Sequence, residues 1–113
     1  FAMLDAMNAS SASLGKQEDE FAHAGLEAVA CETIEGFRVG GAPASLECKV
    51  TQIVELAGPA NFAVFGEVTG VHMRDDCVVD GLFDVKTVKP LARLGYKDYT
   101  FVDHTFALSR PDD

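Results

Sequence analysis

Apolar residues recur with two different periods along this chain, and each period predicts its own kind of element. Phe1, Leu4 and Met7, with Met3 beside them, stand at helical spacing, so residues 1–14 read as a short helix. The Asn8-Ala9-Ser10-Ser11 cluster ends it, because short polar side chains there compete for backbone hydrogen bonds. The polar connector Gly15–Asp19 leads to a second short helix over Glu20–Ala24. Asp19 or Glu18 starts that helix, and Gly25 follows it as the C′ residue, since glycine enters the left-handed region without strain.

The pattern then weakens. Gly36, Gly40, Gly41 and Pro43 interrupt residues 26–44, which read as loop with one short strand at Ala28–Ile34. Leu46, Cys48, Val50, Val54 and Leu56 next alternate with Glu47, Lys49, Thr51 and Glu55, the period of a half-buried strand. By that parity Cys48 faces the core. Ala57-Gly58-Pro59-Ala60-Asn61 has turn chemistry, and Phe62–Met73 returns as a second strand, so the two predict a long hairpin. Gly66 and Gly70 fall on the face of the returning strand that carries Phe62, Val64, Val68 and His72. Glycine weakens a strand interior, so the pair signals a bend, a bulge or close approach by another group. Barrel curvature would account for it, and so would a flat ring system lying on that surface.

Beyond Arg74-Asp75-Asp76 the chain predicts a strand at Cys77–Val79, a turn at Asp80-Gly81 and a helical turn at Val85–Val88. Asp84 caps that turn and Pro90 limits it. Leu91–Leu94 and Tyr99–Val102 are short strands around Gly95–Asp98, and Ser109–Asp113 read as a frayed tail.

Composition narrows the class. The 113 residues, 48% hydrophobic and 24% charged, suit one globular domain. A net charge of −9, from 18 acids against 9 bases, argues against nucleic-acid binding. Three separated cysteines, Cys31, Cys48 and Cys77, make neither a disulfide framework nor a structural zinc site. They point to a reducing, cytoplasmic compartment. No apolar run approaches the ~20 residues of a membrane span. The sequence enters a helical pattern directly at Phe1, which suggests the later part of a longer domain.

Charge is also uneven. Lys86, Lys89, Arg93 and Lys97 fall between Val85 and Lys97 with no acid among them. Such an island fits one small phosphate-bearing ligand, and it equally fits a solvated face or a counter-patch for an acidic surface on a second subunit. Of three histidines, His23 reads as a surface residue and His104 has no obvious partner. His72 ends the glycine-bearing face and precedes Arg74. Asp75-Asp76 reads as a solvated turn, and no nucleophile-elbow, Walker or dinucleotide-binding pattern occurs. Hydrolysis is a poor match. If the chain takes part in catalysis, a cofactor carries the hard chemistry.

Several segments, in order, resemble the flavin reductase-like family. They are Met7–Ala12, Asp19-Glu20-Phe21 with Ala24-Gly25-Leu26, Leu46-Glu47-Cys48, Phe65-Gly66-Glu67-Val68 with Val71-His72, Asp80-Gly81, and Pro90–Gly95 with Tyr99. The resemblance implies a mainly β (α+β) fold, an antiparallel split β-barrel with short peripheral helices, incomplete within these residues. It runs from about residue 1 to residue 102 and corresponds to the later part of the family's domain. The earlier strands, which supply much of the FMN phosphate and ribityl site, have no counterpart here, so tight FMN binding is not expected of these residues alone.

The resemblance further implies a homodimer with noncovalent FMN near the subunit interface. NADH or NADPH would be the electron donor, and a separate monooxygenase a possible recipient of reduced flavin. On this reading His72 borders the flavin or nicotinamide and is the candidate catalytic residue. Arg93 offers charge to a cofactor phosphate or to the dimer partner, while Gly66, Gly70 and Gly95 permit close backbone approach. Tyr99 lies on the closing strand, and Asn8 and Ser10 are further cofactor-binding candidates. The alternatives are a noncatalytic flavin- or ligand-binding dimerisation module and an inactive domain fragment.

Overall fold

The helix at the start of the chain is seven residues long, α1 (Leu4–Ser10), in a computed structural model that describes residues 1–113. It ends within the Asn8–Ser11 cluster as the sequence predicts, and begins at Leu4 rather than at Phe1. The Ser10 and Ser11 hydroxyls each donate 2.7 Å hydrogen bonds, to the Met7 and Asn8 carbonyls respectively. Helix α2 (Glu20–Ala24) has the predicted bounds. The Asp19 carboxylate accepts from the Phe21 backbone N–H at 2.9 Å, and Gly25 ends the helix at φ 69°.

Strands follow in antiparallel pairs. β1 (Ala28–Ala30) pairs with β2 (Phe37–Val39), and β3 (Ala44–Glu55) with β4 (Phe62–Met73). A 3₁₀ turn (Asp75–Cys77) precedes the pair β5 (Val78–Val79) and β6 (Leu82–Phe83). Helix α3 (Val85–Val88) then leads to β7 (Leu91–Arg93) and β8 (Tyr99–Phe101). Each pair is an open two-stranded sheet. The radius of gyration is 17.0 Å, against about 13 Å for a compact domain of roughly this length.

Residues 28–34 form strand only as far as Ala30, and the stretch read as loop contains β2. Cys77 closes the 3₁₀ turn and does not open a strand. Asp80 and Gly81, at φ 51° and 78°, supply the two positive dihedrals of a tight β5–β6 hairpin. Asp84 caps α3 as expected, accepting from the Thr87 N–H at 3.1 Å.

The long hairpin departs from strict alternation, and this changes which residues share a face. Its register skips Thr69 on β4, between the pairs Glu47↔Gly70 and Cys48↔Val68. It skips Thr51 on β3, between Val50↔Gly66 and Gln52↔Phe65. Each bulge adds one residue to one strand and resets the parity beyond it. Directly opposed residues lie on the same face. One face therefore carries Leu46, Cys48, Val50 and Ile53 with Val71, Val68, Gly66, Val64 and Phe62. The other carries Ser45, Glu47, Lys49 and Gln52 with His72, Gly70, Glu67 and Phe65.

Two expectations are corrected by this register. Gly70 and His72 do not share a face with Gly66, Phe62, Val64 and Val68, because the Thr69 bulge lies between them. Nor does Cys48 face a core. The apolar face is open, with Leu46, Val50 and Ile53 each 62% exposed, and Cys48 is exposed with them. The polar face is covered at one end only, around Ser45, Gly70 and His72, where Glu47 is only 1% exposed.

Candidate functional site

The β7–β8 hairpin sets the first site. Arg93 and Tyr99 are cross-strand partners, so their side chains project side by side. The Arg93 guanidinium lies 5.8 Å from the centre of the Tyr99 ring, and its Nη2 donates to the Tyr96 carbonyl at 3.2 Å. That bond braces a tight turn in which Tyr96 adopts φ 59° and the Asp98 N–H donates to the Gly95 carbonyl at 3.1 Å. The end of α1 lies across from this turn. Between them is a cleft of about 440 Å³ lined by Met7, Asn8, Ser11, Arg93, Tyr96, Lys97 and Tyr99.

Three predicted cofactor-binding residues, Asn8, Arg93 and Tyr99, thus come together. Ser10 does not join them: it faces a smaller cleft with Phe21, Leu26 and Val39. Ser11 takes its place, and helical spacing explains why, since residues three apart share a face and residues two apart do not. The basic island divides, with Arg93 and Lys97 at the cleft and Lys86 and Lys89 outside it. Gly95 is not among the lining residues, and a side chain added there would meet nothing within 4 Å.

The donor set suits a ligand that has both an anionic group and a flat ring. Two cations and the Asn8 and Ser11 side chains offer hydrogen bonds to phosphate oxygens, and the tyrosine rings offer stacking area. A phosphorylated flavin fits that chemistry.

The second site lies at the covered end of the long hairpin's polar face. The Glu47 carboxylate accepts from the Glu32 backbone N–H at 3.0 Å, and from the Thr33 backbone N–H and hydroxyl at 2.7 Å each. His72 Nε2 completes the set. These bonds hold the Glu47 pKa down at about 2, the Glu32 and Thr33 backbone donors leading and burial opposing them. The Thr33 hydroxyl also meets that of Thr69 at 2.6 Å. One buried carboxylate thereby fastens the turn between β1 and β2 onto β3 and β4. Sequence reasoning missed Glu47 because a carboxylate on a strand reads as the solvent face.

The two strand glycines serve this packing. A Cβ on Gly70 would stand 3.3 Å from the Thr33 side chain, so the close approach is made by the turn itself. A Cβ on Gly66 would stand 3.1 Å from that of Cys48, across the ladder. His72 opens on a cleft of about 360 Å³ with Arg38, Gly40, Ala42, Met73 and Arg74. A third, largely apolar cleft shares Arg74 with the His72 cleft and Met7 with the Arg93 cleft. His72 is therefore not a member of the Arg93 group, and the apolar cleft lies between the two. No helix is long and apolar enough to cross a membrane.

No family model matches the chain. An uncharacterised protein of Halalkalibacterium halodurans is 32% identical over 112 residues, which cover 96% of this chain and 54% of that protein. One of Deinococcus radiodurans is 29% identical over 113 residues, covering 96% of this chain and 49% of its own length. The chain spans about half the length of these curated relatives. Among solved structures, nitrilotriacetate monooxygenase component B of Bacillus cereus superimposes at a TM-score of 0.85, with 25% identity over 93% of this chain and 54% of that one. Flavoredoxin of Desulfovibrio vulgaris gives 0.84, with 26% identity over 97% and 58%. A split barrel domain protein of Shewanella frigidimarina, assigned as a flavin reductase, gives 0.84 and 24% over 96% and 56%. The chain has the split-barrel fold of these flavin reductase-like structures and matches them over somewhat more than half of their length.

Proposed function

We propose that this chain forms the later part of an FMN-binding split barrel that takes electrons from NADH or NADPH. The observation that carries the reading is the meeting of Asn8, Arg93 and Tyr99 at one cationic, aromatic cleft in a chain of flavin reductase-like fold. Arg93 and Lys97 would hold the FMN phosphate, Asn8 and Ser11 would orient the ligand, and Tyr99 would present its ring. The bound flavin supplies hydride acceptance and onward electron transfer. The side chains here need only position and shield, because hydride transfer between stacked rings is a matter of placement. His72, in a separate cleft and held by Glu47, would border the nicotinamide. Gly70 and Gly66 allow close approach by Thr33 and Cys48 of this chain, and Gly95, outside the cleft, has no close neighbour to admit.

The apolar face of the long hairpin would be the inner wall of the barrel, covered in the whole protein by strands outside these residues. A homodimer in the cytoplasm, delivering reduced flavin to a monooxygenase, completes the reading. The test is the visible spectrum of the purified whole protein, followed by NADH and NADPH oxidation with added FMN. Flavin absorbance and saturable turnover, both weakened about tenfold or more by Arg93→Ala, are expected. A colourless protein that neither binds FMN nor oxidises either donor overturns it. FMN binding without turnover would leave the noncatalytic module.

A further inference from the structure

We propose that the cleft between β2 and the end of β4, lined by Arg38, His72 and Arg74, is a second anion site that binds a small oxyanion, a phosphate or a carboxylate. Arg38 leads the argument. It projects from β2, makes no ion pair, and its Nε is buried without any hydrogen-bond partner. A buried donor left unpaired is costly and holds the side chain under demand. The Nη groups of Arg38, which make no hydrogen bond, are the ones that meet the oxygens of a carboxylate or phosphate in the cleft.

The surroundings are built to receive such a group. Arg74 is fixed on three sides: its Nε and Nη2 both donate to Asp76 at 2.9 Å, and its Nη1 donates to the Gly41 carbonyl at 3.1 Å. It fixes the wall of the cleft while Asp76 matches its charge, so the unmatched charge is that of Arg38. His72 Nε2 is committed to Glu47, so the ring forms a fixed side of the cleft and the charge offered to an anion is that of Arg38. Gly40 belongs to the same lining, and a Cβ there would stand 2.6 Å from Val29 Cγ2 and 3.0 Å from Glu27 Oε2, so a side chain would have to push these two aside. Three carboxylates flank the cleft, Asp76 on Arg74, Glu47 on His72 and Glu27 beside Gly40, and none of them pairs with Arg38.

This cleft shares no lining residue with the Arg93 cleft, and the site rests on Arg38, which the flavin reading does not use. Calorimetric titration of the protein with inorganic phosphate, pyrophosphate and acetate tests it. Saturable binding of at least one of the three is expected, lost about tenfold or more in Arg38→Ala, only partly restored in Arg38→Lys and retained in Arg93→Ala. Preference for phosphate or pyrophosphate over acetate would identify a phosphate-bearing ligand, and the reverse a carboxylate. Absence of binding, unchanged binding in Arg38→Ala, or equal losses in the Arg38 and Arg93 variants would overturn the proposal. Should Arg38→Ala fail to fold by circular dichroism, Ala42→Asp places a carboxylate in the same lining. It is expected to abolish binding, and unchanged binding in that variant overturns the site as well.

Discussion

Glu47 and Thr33, fourteen residues apart, meet through two 2.7 Å hydrogen bonds, the Thr33 backbone N–H and hydroxyl both donating to one carboxylate oxygen. The pair joins a short turn to the long hairpin, and it makes stability depend on the ionised form of Glu47. Its folded pKa, about 2, lies below the ordinary 4.5, so its contribution is complete above about pH 4.5 and disappears as the pH falls toward 2. Denaturation midpoints of the parent chain and Glu47→Gln should therefore differ at neutral pH and converge across that window. A constant difference would refute the linkage.

The Thr33 side chain also occupies the space in front of Gly70. Gly70→Val forces that side chain aside and breaks its bonds to Glu47 and Thr69. A loss of about 1–3 kcal/mol is expected, typical of overpacking a fitted contact. Hydrogen exchange at the Thr33 amide is the specific readout, because it should lose protection in this variant.

Helix α2 offers a local contrast. Removing its cap with Asp19→Ala deletes one exposed hydrogen bond and should cost about 1 kcal/mol. Its thermal midpoint should fall less than that of Glu47→Gln, which leaves several donors short of an acceptor. The opposite order would mean that the Glu47 bonds are weak in solution.

Thiol chemistry reports on the open hairpin face. Cys48 lies exposed on it, whereas Cys77 is buried where the 3₁₀ turn meets the segment before α3. In this 113-residue chain Cys48 should react with a disulfide reagent well before Cys77, and comparable rates would contradict the assigned faces. Burial raises the pKa of Cys31, with Glu47 adding to the effect, so its thiolate should form only at higher pH than an ordinary cysteine's.

Elements set by neighbours in sequence were legible from sequence. The Asp19 cap, the Gly25 stop, the Asp80-Gly81 turn and the Asp84 cap all depend on residues within four positions of one another. The turn at residues 31–36 and strand β2 were not legible, because Glu47 holds the turn from another strand. The face assignments failed where a single inserted residue resets parity, which periodicity alone does not reveal. At the candidate cleft, Asn8, Arg93 and Tyr99 were found through motif and charge. Ser10 faces another cleft, because the helical repeat sets Ser11 and not Ser10 beside Asn8. Arg38 gave no signal, since its lack of a partner is a property of the folded chain.

The two hairpin bulges have a consequence for chain length. Deleting Thr51 or Thr69 would leave every other cross-strand pair intact and merely regularise the ladder around it. Relatives that lack either residue would keep the same apolar side, and their alignments with this chain should open a gap there. The hairpin thus has two places where it can shorten by one residue without turning over, and a deletion elsewhere along it would move polar side chains onto the apolar side.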